Sequence, residues 1–214
     1  GLVAEIRLSY IKRHQLDKTD VPVARIIHGI GSKAINCAIS LRDVASEYAI
    51  SNHEFRYVTE ILDEYVERKK LNFMMDFDDL LVNLAKVLEI PDVQQAVSKR
   101  YPYLLVDELQ DINHIQAQII ALINEGNNHL FAVGDANQAI YGWRGSRIEY
   151  IEQFNQIFPN TKSYYITHNY RSDANILKFA EKSINHNYEG REDKTIISAV
   201  HPALNEPSVQ QFYS

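Results

Sequence analysis

The chain has 214 residues, a formal net charge of −6, and 45% hydrophobic against 23% charged residues, a balance that supports a packed core and excludes bulk disorder. The length suits one large domain or two small ones. The mild acidity excludes a simple basic nucleic-acid coat protein, yet leaves room for a local nucleic-acid site built on aromatic side chains or a few cations.

The first hundred residues read as helical. Val21-Pro22-Val23 makes a break. Leu41, Val44, Ala45, Tyr48 and Ala49 then recur at helical spacing behind Ser40, a candidate N-cap. Val58, Ile61, Leu62 and Tyr65 form a second stripe, with charges from Glu60 to Lys69 on the other face. Phe77, Leu80, Leu81, Leu84 and Leu88 form a third, opened by Asp76 and stopped by Pro91.

From residue 101 the texture changes. Tyr103-Leu104-Leu105-Val106 reads as a buried strand ending in Asp107-Glu108, followed by a helix through Ile115, Ile119, Leu122 and Ile123 that Gly126 closes. A second strand, 129–133, ends in Gly134-Asp135. The next helix carries Ile148, Ile151, Phe154 and Phe158 and stops at Pro159. A third strand is expected over Ser163–Thr167, a helix opened by Asp173 follows, and a last short strand is expected over Ser208–Tyr213. Strand and helix alternating in this way predict an α/β fold with a parallel sheet and right-handed crossovers.

Ligands of such sheets bind beyond the carboxyl ends of the strands. Three polar clusters fall there: Asp107-Glu108-Leu109-Gln110-Asp111, Gly134-Asp135-Ala136-Asn137-Gln138, and His168-Asn169-Tyr170-Arg171-Ser172. An aspartate after an apolar strand suits Mg²⁺, and an adjacent glutamate suits a water that attacks a γ-phosphate. Three of the eight glycines lie between Val133 and Ser146, so the backbone there turns sharply or approaches something closely. The only tryptophan, Trp143, sits among them beside Arg144. A ring held in a polar, glycine-rich stretch can stack an unpaired base, although a tryptophan is more commonly core. Arg171 offers a guanidinium to a phosphate, and Tyr170 a ring to a base.

One cysteine, Cys37, excludes an intrachain disulfide and reads as a small buried hydrophobe. A reducing, cytoplasmic setting is the default. The eight histidines are scattered and give no structural metal site, and no apolar run reaches the roughly 20 residues that span a bilayer, so no membrane partner is expected.

In this order the motifs resemble those of the UvrD/Rep/PcrA-type superfamily 1 DNA helicases. Val106 to Asp111 resembles the family's Walker B motif. Val133 to Ser146 resembles its third motif, V-G-D-x-x-Q-x-I-Y-x-W-R-G, and Asn169 to Ser172 its N-Y-R-S motif. Asp76-Phe77-Asp78-Asp79-Leu80-Leu81 resembles a segment that these helicases carry ahead of Walker B. Leu109 and Ala139 stand where the family usually has an aromatic residue and Ser, and neither change removes a catalytic group.

The resemblance implies a RecA-like motor of the P-loop NTPase type, using ATP and Mg²⁺. Residues 1–75 would be the helical insert of the first motor domain, 76–168 the second half of that domain, and 169–214 the start of the second motor domain. Asp107 would coordinate Mg²⁺ and Glu108 activate water. Gln138 would sense the γ-phosphate, Tyr170 pack on the adenine, and Arg171 act as an arginine finger. Tyr141 and Trp143 would stack single-stranded bases, with Arg144 bracing that region or touching DNA. The implied partners are single-stranded DNA and its junctions with duplex, the rest of the helicase chain, and repair or replication proteins, with movement 3′ to 5′ as in relatives.

No G-x-x-x-x-G-K-[ST] occurs in the chain, and Gly29-Ile30-Gly31-Ser32-Lys33 has the wrong spacing for one. The family's phosphate loop would precede residue 1 and its later motifs follow residue 214, so the chain reads as the middle of a helicase that hydrolyses ATP poorly alone. Two other readings stay open: a helicase-like protein that binds single-stranded DNA or a protein without catalysis, and a motor embedded in a helicase–nuclease.

Overall fold

The computed structural model describes residues 1–125, 129–142 and 145–185, together with the backbone of 197–198. The chain divides into two compact units, Gly1–Phe158 and Pro159–Ser214.

The first unit begins with four helices, α1 (Leu2–His14), α2 (Ala24–Cys37), α3 (Leu41–Glu47) and α4 (Asn52–Leu71). Their apolar stripes close one core, in which Ile6, Ile27, Ile30, Val44, Val58 and Ile61 are fully buried. Ser40 caps α3 by accepting from the Asp43 N–H, as its position predicts. Ser51 and Glu54 form a capping box on α4, which satisfies two backbone donors that the helix leaves orphaned. Gly29 to Lys33 lies inside α2 rather than in a phosphate loop. A Cβ on Gly31 would lie 2.9 Å from Leu62 Cδ2, so this glycine lets α2 and α4 approach closely.

Asp76 and Asp79 form the capping box of α5 (Phe77–Leu88). The buried side of α5 differs from the expected stripe. Leu81, Ala85 and Leu88 pack on Ile115 and Ile119 of α7 (His114–Asn124). Phe77, Leu80 and Leu84 face solvent. Periodicity located an apolar arc wider than the face that α7 covers. Pro91 does not merely stop α5. It opens α6 (Pro91–Arg100) at the first helical position, where its missing N–H costs nothing.

Strands β1 (Leu104–Val106) and β2 (Leu130–Ala132) pair in parallel, with Leu104 opposite Leu130 and Val106 opposite Ala132. The intervening α7 is the crossover that parallel pairing requires. Val106 and Ala132 turn into a third core with Leu109, Ile112, Ala117, Ile151 and Phe154. Leu105 and Phe131, on the opposite face, are exposed. The expected parallel pairing of the first two strands is therefore present, within a chain that is mostly helical.

Two expectations need correction. The helix through Ile148–Phe158 is two single turns, α8 (Glu149–Glu152) and α9 (Phe154–Ile157), broken at Gln153. The third strand over Ser163–Thr167 does not form: among the described residues no strand pairs with it, and Tyr164, Tyr165 and Ile166 are exposed. β-propensity alone does not make a strand without a ladder partner. The paired strand of the second unit begins later, as β3 (His168–Asn169), and runs parallel to β4 (Ile197–Ser198). Helix α10 (Ala174–Asn185) follows behind Asp173, whose Oδ1 accepts the Asn175 N–H at 2.7 Å. Gly126 and the expected strand over 208–213 lie outside the described residues.

Candidate functional site

The chain leaves β1 through a turn that projects two carboxylates. Asp107 and Glu108 are both exposed. Glu108 has φ 49° and ψ 48°, the left-handed region that a residue with a Cβ seldom adopts. Its surroundings hold it there. The Glu108 N–H donates to Asp107 Oδ1 at 3.0 Å. The Leu109 N–H donates to the Val133 carbonyl at 2.9 Å, and the Asp111 N–H to the Glu108 carbonyl at 2.9 Å. Burial of Leu109 anchors the turn from below.

Gln110 is the buried element under this turn, at 1% exposure. Its Nε2 donates to Glu108 Oε2 at 2.7 Å, while its Oε1 accepts from the Asp135 N–H at 2.9 Å. The amide thus ties the end of β1 to the loop after β2. Gly134 makes room for it: a Cβ there would lie 2.8 Å from Gln110 Oε1 and 2.9 Å from Ile151 Cδ1. Asp135 continues the chain of bonds. Its Oδ1 accepts the Asn137 N–H, and its Oδ2 accepts from Gln138 Nε2, both at 2.9 Å. Glu108, Gln110, Asp135 and Gln138 are therefore linked in sequence by hydrogen bonds, two of them charge-assisted.

The loop after Gln138 folds back on itself. The Gly145 N–H donates to the Gly142 carbonyl at 3.0 Å and the Ser146 N–H to the Tyr141 carbonyl at 3.4 Å. Gly145 has φ +88°, and a Cβ on it would lie 2.8 Å from Cys37 Sγ. Ser146 bridges Asn113 in an antiparallel pair, and the Arg147 N–H reaches the Ile112 carbonyl at 3.3 Å. A cleft of about 340 Å³ lies here, lined by Ala139, Gly142, Ser146, Arg147, Ile148 and Glu149. Tyr141 is half-buried. Trp143 and Arg144 lie outside the described residues.

In the second unit, Asn169 Oδ1 accepts the N–H groups of Arg171 at 2.9 Å and Ser172 at 2.8 Å. This side-chain turn fixes the backbone that presents Tyr170 and Arg171, both exposed. The Tyr170 ring lies 6.4 Å from that of His168.

The structure thus gathers Asp107, Glu108 and Gln138 in the first unit, and sets Tyr170 and Arg171 side by side in the second. Gln110 and Asp135 are the residues to which sequence reasoning assigned no role. Their signal was present, a glutamine two residues past Asp-Glu and an aspartate after Gly134, but nothing in the spacing says that the two touch. Among the described residues no group of three or more His, Cys, Asp or Glu could cage a metal. Mg²⁺ asks less, one or two carboxylates with water and phosphate oxygens completing its shell. The exposed hard oxygens of Asp107 and Glu108 fit that demand.

Comparison with known proteins places the chain in a family. Residues 2–159 match the UvrD/REP helicase N-terminal domain, and the chain belongs to that family. It is 38% identical over 166 residues to the ATP-dependent DNA helicase PcrA of Leuconostoc citreum, covering 77% of this chain and 22% of that protein. It is 38% identical over 149 residues to the ATP-dependent DNA helicase UvrD1 of Mycobacterium tuberculosis, covering 66% of this chain and 19% of the relative. The UvrD1 of Mycobacterium leprae is 32% identical over 185 residues, 81% of this chain and 23% of that protein. The chain therefore spans about a fifth of the length of these relatives. Among the described residues no helix is long and apolar enough to cross a membrane.

Proposed function

We propose that this chain is the part of an ATP-dependent DNA helicase that activates the hydrolytic water and passes the state of the nucleotide to single-stranded DNA. Residues 1–75 serve as the helical insert of the first motor domain, 76–168 as the second half of that RecA-like domain, and 169–214 as the start of the second. Bound Mg²⁺ would neutralise phosphate charge, and Asp107 is placed to hold it through water. Glu108 takes the proton of the water that attacks the γ-phosphate, its carboxylate aimed by Gln110. Gln138, held by Asp135, senses the γ-phosphate. Tyr141 and Trp143 stack bases, with Arg144 beside them. Tyr170 packs on the adenine, and Arg171 stabilises charge in the transition state. Movement runs 3′ to 5′ on single-stranded DNA, in the cytoplasm, with unwinding at the junction with duplex.

The observation that carries this reading is the bonded sequence Glu108–Gln110–Asp135–Gln138. It joins a candidate general base to a candidate phosphate sensor, and only Ala139 and Ile140 separate that sensor from Tyr141. The test is ATP turnover by the complete protein with and without single-stranded DNA. Glu108→Gln should abolish DNA-stimulated turnover while leaving ATP binding intact. Unchanged turnover in that variant would overturn the assignment.

A further inference from the structure

Asn36, on the last turn of α2, belongs to no motif singled out above, yet its amide is buried and fully engaged. Its Nδ2 donates to the Ser32 carbonyl at 2.9 Å, to Ser32 Oγ at 3.2 Å and to Asp78 Oδ1 at 2.8 Å. Its Oδ1 accepts from Asn113 Nδ2 at 2.9 Å. One side chain thus joins α2 to the first turn of α5 and to the N-cap of α7.

Asn113 has a single orientation open to it. Its Oδ1 caps α7 by accepting the Gln116 N–H at 2.9 Å, which leaves its Nδ2 to point at Asn36. The backbone of Asn113, two residues past Asp111, also bridges Ser146. From the other side Gly145 rests on the end of α2, where an added Cβ would lie 2.8 Å from Cys37 Sγ and 3.4 Å from Asn36 Cβ. Gly145 is therefore seated on the end of α2 and Ser146 on Asn113, and the Asn36 amide locks that seat to the segment leaving the Glu108 turn. A leucine here would leave Asp78 Oδ1 and Asn113 Nδ2 without this partner, and a buried amide is itself tolerated only when its bonds are made. What the amide adds is direction.

We propose that Asn36 is a positioning residue, through which the helical segment 1–75 sets the placement of Gly145 and Ser146 and hence the grip of their loop on single-stranded DNA. The DNA part of this rests on the function proposed above. The experiment uses the 214-residue chain, whose only tryptophan, Trp143, lies in that loop. Two readouts are taken: Trp143 emission without DNA, and its quenching by an oligo-dT strand.

Asn36→Asp sets a second carboxylate against Asp78 and removes the amide donor. It should shift Trp143 emission and weaken oligo-dT binding on the order of tenfold, as for a lost bond to a charged group. Adding Asp78→Asn reverses donor and acceptor across the pair, while Asn113 can still donate, and should restore both readouts to within about twofold of the starting chain. If Asn36→Asp fails to fold by circular dichroism, Asn36→Leu takes its place with the same expected losses. Wild-type emission and affinity in a folded Asn36 variant would overturn the proposal. So would a folded double variant that recovers neither readout. If the unaltered chain binds no oligo-dT, the base-stacking role fails on its own account, and the emission shift with its rescue still decides whether Asn36 positions the loop.

Discussion

Lys69 is the most consequential charge in the helical segment, and its removal has a calculable effect. The side chain is 8% exposed and its Nζ lies 2.6 Å from Asp76 Oδ2 and 2.5 Å from Asp79 Oδ2. It also sits 4.4 Å from the centre of the Tyr65 ring, and Tyr65 itself donates to Asp76 at 2.8 Å. Lys69→Met keeps the stem and deletes the charge, leaving two carboxylates without their cation. Breaking a fully buried pair costs about 3–5 kcal/mol. The carboxylates here are 22% and 29% exposed, so water repays part of the loss and about 2–3 kcal/mol is expected. For a chain of this size that lowers Tm by about 4–12 °C.

The pH dependence carries the sharper test. Burial raises the Asp76 carboxyl, but the Lys69 ammonium, the Asp79 N–H and the Tyr65 hydroxyl outweigh it and hold it at about 2. A carboxyl held below its unfolded value adds stability above that value and loses it as pH falls through about 2, here about 2 kcal/mol in all. Without Lys69 most of that contribution is gone at neutral pH. The difference between the two chains should therefore be largest near pH 7 and shrink as the pH is lowered toward 2. Urea unfolding followed by circular dichroism at a series of pH values measures it. A loss below about 0.5 kcal/mol at pH 7, or a difference that does not change with pH, would refute the reasoning.

Other outcomes can be stated briefly. Trp143→Ala should weaken oligo-dT binding by about 1–3 kcal/mol in fluorescence anisotropy, the worth of one base–aromatic stack. Gln110→Leu removes the bond that aims Glu108. In the complete protein it should lower kcat for ATP by about a hundredfold, as a small misplacement of a reacting group does, with KM little changed in steady-state kinetics. Gly145→Ala meets both a positive φ and the Cys37 sulfur, and should destabilise the chain by about 1–3 kcal/mol in thermal melts.

The caps were the most legible part of the fold. Ser40 and Asp76 announce their helices because an N-cap bond spans three residues and needs nothing distant. The parallel pair β1–β2 was legible because two apolar runs separated by one helix have few ways to pair. Local pattern failed where a partner decides the outcome. Phe77, Leu80 and Leu84 were expected to be buried and are not, because the width of a helix's buried face depends on what lies against it. Tyr164 to Ile166 has strand composition but no ladder partner among the described residues. In the candidate site, the carboxylates and Gln138 could be named from motif order. The roles of Gln110, Asp135 and Asn36 are matters of contact across 25 to 77 positions of chain, and no local spacing encodes them.

The left-handed backbone of Glu108 carries a consequence for how this protein balances durability against work. A glutamate in that conformation costs about 1–3 kcal/mol that a glycine would not. The position is thus occupied at the expense of the fold. Glu108→Gly relieves that cost but takes the acceptor from the buried Gln110 amide, worth about 1–3 kcal/mol, so the two should roughly offset in urea unfolding even as the carboxylate proposed to act on water is lost. The same conformation excludes β-branched replacements, so a chemically neutral control at this position is Gln rather than Val or Thr. A variant at this position can therefore hold its structure while losing the chemistry, so stability alone does not report on the site.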